Sequence, residues 1–174
     1  MFFDTAPITF VTVLITVFFS VMFFLFGILP IFIYRENPNK LKAVWSIVHF
    51  SLCCGFILFC FLSVPNKYIL SAEEIIIKRY LNDIRIDYDD IVEMKVTDYF
   101  HWKGKNGWNP GVFGFVGKYK SETVGTFSAY ITNWRYLVVI ERKNDRPVII
   151  SPDKPDIFVN TFKKTKHSDY AFQM

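Results

Sequence analysis

Cysteine is missing from most of this chain. The 174 residues include three cysteines, and all of them lie in one apolar run, at Cys53, Cys54 and Cys60. The sequence beyond residue 60 therefore cannot form a disulfide framework or a thiolate zinc site. Inside the run, His49, Cys53 and Cys60 share one helical stripe, which suits either a soft-metal or haem site or a packing face between helices. Because the preceding apolar run has no second ligand cluster, we expect no metal and no cofactor.

Charge is missing from two long segments. Residues 5–34 contain no Asp, Glu, Lys or Arg, and residues 43–64 contain one imidazole and no other charged group. An apolar run of about 18 or more residues can cross a bilayer as a helix, where backbone amides must be satisfied within the segment. The sequence therefore predicts helices over residues 7–34 and 43–64. They would form a two-span hairpin, residues 1–66, integral to the lipid bilayer.

The first apolar run does not match a cleaved signal peptide. Its leading residues include Asp4 and neither Lys nor Arg, whereas a signal peptide begins with a basic region. Two spans place both chain ends in the same compartment. Basic residues in the link favour a cytoplasmic link, and a similar number just after the second run favour a cytoplasmic domain. We therefore predict an integral protein of the bacterial cytoplasmic membrane and leave the side of the domain open.

A basic excess and a catalytic constellation are also missing. From residue 65 onward the chain has 17 Lys and Arg against 14 Asp and Glu, so a nucleic-acid partner is not expected. Asp89 and Asp90 are adjacent and would point to opposite faces of a strand. His101 and His167 have no cysteine or histidine companion nearby in sequence. We therefore predict no catalytic residue, no metal ligand and no enzymatic activity.

The remaining sequence is rich in short β-like runs. Residues 84–88 alternate apolar and polar side chains, as a half-buried strand does. Seven such runs, separated by turn residues, predict an antiparallel sheet folded into a small barrel or sandwich over residues 67–166. The runs are residues 68–70, 75–80, 84–88, 91–96, 125–130, 136–142 and 147–150. Residues 98–124 read as a long irregular stretch.

One soluble helix follows the last run. Pro155 suits the first helical position, and Ile157, Phe158 and Phe162 recur at helical spacing. We predict a helix over residues 155–164 whose apolar face closes the open end of the barrel. Residues 167–174 would form a tail.

Two stretches carry a family resemblance. YILSAEEIIIKRYLNDIRIDYDDIVEM and ITNWRYLVVIERKNDRPVIISPDKPDIFV resemble the bacterial PH-like (pleckstrin-homology-like) domain membrane proteins, which often carry a two-helix hairpin before the domain. The resemblance covers residues 68–162. It implies an all-β PH-like barrel of about seven antiparallel strands closed by a C-terminal α-helix. It also implies a non-catalytic interaction module that binds a protein partner or self-assembles at the membrane.

The segment of residues 100–121 combines lysines with aromatic residues and has no acid. One hypothesis is a membrane-surface loop, since Trp and Tyr favour the headgroup level and lysines attract anionic lipid. Its contact residues with lipid or a partner would be Trp102, Lys103, Lys105, Trp108, Phe113, Phe115, Lys118 and Lys120. The other hypothesis is a hairpin folded over the barrel with Phe113 and Phe115 in the core. By contrast, the first turn of the domain, residues 71–74, is acidic, so we expect no phosphoinositide binding there.

Overall fold

The computed structural model describes residues 2–33, 40–97, 102–105, 109–110, 112–122, 124–135 and 137–172. These segments form a helical hairpin joined to a β-domain. The helices are α1 (Phe10–Ile33), α2 (Lys40–Ser63) and α3 (Pro155–Phe172). The strands are β1 (Phe2–Thr5), β2 (Pro65–Leu70), β3 (Glu74–Arg79), β4 (Ile84–Asp87), β5 (Ile91–Thr97), β6 (Trp102–Lys105), β7 (Asn109–Pro110), β8 (Phe115–Ser121), β9 (Gly125–Ile131), β10 (Leu137–Arg142) and β11 (Val148–Ile150).

Helices α1 and α2 pack against each other in antiparallel fashion. The rings of Phe23 and Phe56 lie 6.1 Å apart, and a Cβ on Gly27 would lie 2.5 Å from the ring of Phe50. Helices α1 and α2 cover most of the ranges 7–34 and 43–64 over which helices are predicted. Within the described residues one segment, Val44–Ser63, is long and apolar enough to cross a membrane, with a mean hydropathy of 2.1. Thr12–Ile28 is a shorter apolar helical segment.

The strands form two sheets rather than a closed barrel. One sheet has the order β1-β2-β3-β4, and the other has the order β5-β10-β11-β9-β8-β6, with β7 also paired to β8. All seven predicted runs are strands, namely β2 to β5 and β9 to β11. The prediction of a purely antiparallel seven-stranded barrel was wrong, because β9 and β11 pair in parallel and four further strands are present.

Strand β8 lies inside residues 98–124, the stretch predicted to be irregular. Its side chains alternate: Phe115 and Tyr119 are buried, whereas Lys118 and Lys120 are exposed. That period of two is typical of a strand with one buried face. The antiparallel hairpin with β9 is in register from Phe115 opposite Ile131 to Ser121 opposite Gly125.

Strand β1 makes the start of the chain part of the β-domain. Phe2 lies opposite Leu70, and Asp4 lies opposite Tyr68. These residues lie within the range 1–66 predicted for the hairpin. Strand β2 begins at Pro65, so Pro65 and Asn66, at the end of the predicted range 1–66, are also part of the sheet.

Two apolar clusters lie on opposite faces of the seven-stranded sheet. The first fills the space between the two sheets and α3 and includes Val138 and Ile140, whereas the second includes Leu137 and Val139. Successive side chains on a strand point to opposite faces, so β10 contributes to both clusters. Its continuous apolar sequence follows from this burial on both sides.

Helix α3 covers one end of the first cluster. Phe158 is fully buried, and its ring lies 6.2 Å from that of Phe2 and 6.5 Å from that of Tyr68. The helix continues to Phe172, so residues predicted to form its flanking tail are helical. No Gly or Pro follows residue 164 to end the helix earlier.

Candidate functional site

Hydrogen bonds and ring contacts join the hairpin to the β-domain at a junction. The pairing of β1 with β2 brings the chain into α1 and out of α2 at neighbouring points. The amide of Ala6 donates to the carbonyl of Asn66 at 3.2 Å, which continues this pairing beyond the strand. The two helices therefore leave the β-domain side by side.

The end of α2 is capped by the turn between β3 and β4. The amide of Leu81 donates to the carbonyl of Leu62 at 2.9 Å, and the ring of Tyr80 stacks on that of Phe61 at 5.3 Å. Carbonyls in the last helical turn have no partner within the helix. This turn supplies one, so the end of α2 has a fixed position against the domain.

Two threonines attach α1 to the same side of the domain. The Thr12 hydroxyl donates to the carbonyl of Thr132 at 3.1 Å, and the amide of Phe113 donates to Oγ1 of Thr16 at 2.8 Å. Both threonines are buried. Because residues four apart lie on one helical face, this spacing directs both hydroxyls at the domain.

Arg79 connects the end of α2 with the domain interior. Its Nη1 donates to the carbonyl of Ser63 at 3.4 Å, and its Nε donates to the carbonyl of Asn82 at 2.9 Å. The guanidinium carbon lies 5.5 Å from the centre of the Tyr130 ring. Burial lowers the pKa of the Arg79 guanidinium, although Tyr130 acts in the opposite direction. An arginine remains charged at neutral pH, so the junction holds a fixed cation.

A buried polar network lies behind the junction. The Tyr68 hydroxyl donates to the carbonyl of Tyr130 at 2.8 Å, and Ser151 Oγ accepts from the amides of Thr132 and Asn133 at 2.9 and 3.2 Å. Burial raises the pKa of Tyr68 to about 12, against the effect of its hydrogen bonds with Ser151. The network joins β2, β9 and the segment that follows β11, which gives it a structural role.

The predicted loop residues fall into two groups. Lys118 and Lys120 are exposed on β8, and β6, which carries Trp102, Lys103 and Lys105, pairs with the same strand. Trp108 lies outside the described residues. At about 3.3 Å per residue, Lys118 and Lys120 lie roughly 13 and 20 Å along the strand from Gly114. Gly114 is at the junction, since a Cβ there would lie 3.2 Å from Val64.

Phe113 and Phe115 belong to the other group. Phe115 is buried in the second apolar cluster, with its ring 4.3 Å from that of Trp134. Phe113 is partly buried, and its ring packs edge-on against that of Phe61 at 5.3 Å. Its backbone φ is 61°, an uncommon value for a residue with a side chain, so the junction holds this turn in a constrained conformation. The structure thus separates these rings from the exposed lysines.

The fold that carries this junction has a known family. The model for the bacterial PH domain family matches residues 66–166, which is more than half of the chain. The chain belongs to the bacterial PH domain family. No curated protein and no solved structure matches it. Membership indicates a non-catalytic interaction module, because PH domains generally act in that way.

The first turn of the PH domain is held by its own side chains. The Arg85 guanidinium donates to the Glu74 carboxylate at 2.5 Å, and the Tyr88 hydroxyl donates to the carbonyl of Ser71 at 2.8 Å. The exposed residues between them include Glu73. An acidic turn repels phosphate groups, and the absence of phosphoinositide binding there stays a prediction.

The predicted stripe of possible metal ligands lies in α2. His49 Nε2 and Cys53 Sγ lie 3.6 Å apart in α2. No group of three His, Cys, Asp or Glu side chains that could hold a metal ion occurs among the described residues. Cys53 and Cys60 are buried, whereas His49 is exposed, and the choice between a metal site and a packing face stays a prediction.

Sequence reasoning missed the junction residues Thr12, Thr16, Arg79, Tyr80 and Leu81. A signal for the threonines was present, because Thr12, Thr16 and Ser20 place hydroxyls one helical turn apart in a largely apolar run. A signal for the turn was also present, since Tyr80 and Leu81 are large apolar residues where turns favour Gly, Pro, Asn, Asp or Ser. Their common location depends on tertiary contacts.

Proposed function

We propose that this protein is an integral protein of the bacterial cytoplasmic membrane. In this proposal α1 and α2 form a two-span anchor, and the PH domain is a non-catalytic module that binds a protein partner or a second copy of the chain. The observation that carries the proposal is the arrangement at the junction. Two apolar helices leave the β-domain side by side, and the pairing of β1 with β2 places the chain start and the domain on the same side of the hairpin.

The surface of the hairpin supports a lipid environment. Large apolar side chains face outward from both helices, including Phe18 and Leu25 on α1 and Leu52 and Leu58 on α2. Contiguous exposed apolar surface is rare on proteins that are free in water. In the hydrocarbon core these side chains would not be exposed to water, and helices satisfy their own backbone amides there.

Membrane integration can be tested by alkaline carbonate extraction of membranes that contain the full chain. We expect the chain to remain with the membrane pellet and to be released by detergent. The matched control is a hairpin-free chain in which residues 2–6 are joined through a short Gly-Ser linker to residues 65–174. It keeps β1 and should be recovered in the soluble fraction. Release of the full chain by carbonate would overturn the anchor.

The interaction role needs a separate measurement. We expect light scattering of the detergent-solubilised full chain to give a mass above that of one chain if it self-assembles. If the mass is that of one chain, crosslinking in native membranes should join the PH domain to a different protein. A chain that is monomeric in detergent and also forms no crosslinked product in membranes would contradict the interaction module.

A further inference from the structure

An apolar turn of the PH domain lies at the end of the second helix. Tyr80 and Leu81, between β3 and β4, are 61% and 52% exposed. Two consecutive large apolar side chains at an exposed turn are unusual, because turns usually carry small or polar residues. The charges beside them are already engaged, since Lys78 pairs with Asp83 at 2.5 Å.

Hydrogen bonds fix the depth of this turn relative to the hairpin. The backbone amide of Leu81 donates to the carbonyl of Leu62, and the Tyr80 ring stacks on that of Phe61. The turn is therefore level with the last turn of α2. If α2 spans a bilayer, Tyr80 and Leu81 lie where the hydrocarbon core meets the headgroups.

A second apolar surface lies at the start of α1. Phe113 packs on Phe61 and donates its amide to Thr16, so Thr16 and Phe61 are at about the same level along the hairpin. The α1 residues before Thr16 consequently extend beside the PH domain. Their outward side chains Phe10, Val13 and Leu14 are 75%, 46% and 52% exposed.

Two exposed cationic side chains are close in sequence to residues of the junction. Lys67 is exposed on β2, four residues after the end of α2. Arg135 is exposed in the segment that follows Thr132, the residue bonded to Thr12. Lipid phosphates attract such cations at the membrane surface. Lys67 and Arg135 are thus exposed cations of the PH domain that are close in sequence to residues of the junction.

We infer that the hairpin side of the PH domain is embedded in the interfacial layer of the bilayer. The embedded surface, here called the interfacial face, consists of Phe10, Val13, Leu14, Tyr80 and Leu81. Its occupant is lipid, because it is continuous with the apolar sides of α1 and α2. This inference rests on the proposed membrane anchor. It places lipid contact at the junction and away from the lysines of β8.

Spin-label accessibility in the reconstituted full chain tests the inference. Nitroxide labels are attached at Leu81→Cys and Leu14→Cys, with Val92→Cys on β5 as a water-exposed control and Leu58→Cys on α2 as a hydrocarbon control. The native cysteines at positions 53, 54 and 60 are replaced by alanine, and the vesicles contain phosphatidylcholine and phosphatidylglycerol. Collision rates with oxygen, which concentrates in lipid, and with a water-soluble nickel complex are then compared.

We expect oxygen to exceed the nickel complex in collision rate at residues 81 and 14, and the order to reverse at residue 92. The two labels are on different elements, so if one variant fails to fold, the other still tests the inference. Suppose that the labels at 81 and 14 collide more often with the nickel complex, while the label at 58 collides more often with oxygen. That result would overturn the inference and leave the anchor intact. A label at 58 that collides more often with the nickel complex than with oxygen would overturn the anchor itself. Dipolar broadening between labels at 81, with both reagents excluded, would assign the face to a second copy and overturn lipid contact.

Discussion

The carboxylate of Asp4 accepts a hydrogen bond from the backbone amide of Lys154 at 2.9 Å. It also accepts from the amide of Thr5 at 2.9 Å, and it is buried. The bond to Lys154 joins the first strand to the residue that precedes α3. A negative charge beside the start of a helix is favourable, because the helix dipole is positive there.

Replacing Asp4 by alanine should destabilise the PH domain. A hydrogen bond to a charged group contributes about 1.5–3 kcal/mol, so we expect a loss of this size in the free energy of unfolding. Urea unfolding of the full chain in detergent, followed by near-ultraviolet circular dichroism, measures it. Asp4→Asn keeps an acceptor oxygen and should lose less, and Asp153→Ala, at an exposed carboxylate, is the control. Equal stability of Asp4→Ala and Asp153→Ala would contradict the role of this contact.

Phe158 tests whether α3 is part of the core. Its side chain is fully buried against Phe2 and Tyr68, so Phe158→Ala should reduce the free energy of unfolding by about 3–5 kcal/mol. Ile157 is the neighbouring control because its side chain is 49% exposed. Ile157→Ala should change stability much less in the same unfolding experiment. Similar losses for the two variants would mean that the helix does not pack through the Phe158 face.

Two glycines in the hairpin offer a matched test of helix packing. A Cβ on Gly27 would lie 2.5 Å from the Phe50 ring, whereas a Cβ on Gly55 would have no neighbour within 4 Å. Gly27→Ala should therefore separate α1 from α2 and cost about 1–3 kcal/mol, as overpacking does. Thermal unfolding in detergent should show a lower midpoint for Gly27→Ala than for Gly55→Ala. The reverse order would contradict the close approach of the two helices.

Tyr68 should make the PH domain less stable at alkaline pH. Burial raises its pKa to about 12 in the folded chain, from an ordinary value of 10.0. Between these values the unfolded chain loses the phenolic proton and the folded chain keeps it. The unfolded state then binds fewer protons, so stability falls as pH rises, by at most about 1.4 kcal/mol per pH unit.

The variant Tyr68→Phe removes this titration and also the hydrogen bond to the Tyr130 carbonyl. At about pH 8 it should be less stable than the native chain, by about 0.5–1.5 kcal/mol for the lost bond. The difference should narrow as pH rises above about 10. Urea unfolding across this range measures both effects. Stability curves that stay parallel throughout would show that Tyr68 does not keep its proton in the folded chain.

The sequence alone predicted the two apolar helices, the seven turn-separated strands and the start of the last helix. Each depends on a local signal. Charge-free runs predict helices whose backbone amides are satisfied internally, alternation predicts half-buried strands, and Pro155 marks a helix start. The family resemblance likewise rests on contiguous stretches. These features follow from residues that are near one another in the chain.

Tertiary structure decided which of these elements meet. Asp4 is hydrogen-bonded to Lys154, and Thr12 is hydrogen-bonded to Thr132, although long stretches of chain separate the partners. Phe113 likewise contacts both α1 and α2. The parallel pairing of β9 with β11 is of the same kind. No local pattern encodes such partners, because they are selected by burial of a shared core and by satisfaction of buried hydrogen bonds. Local sequence therefore predicted the three helices and seven of the eleven described strands, and packing determined that the first strand and the hairpin are built into the PH domain.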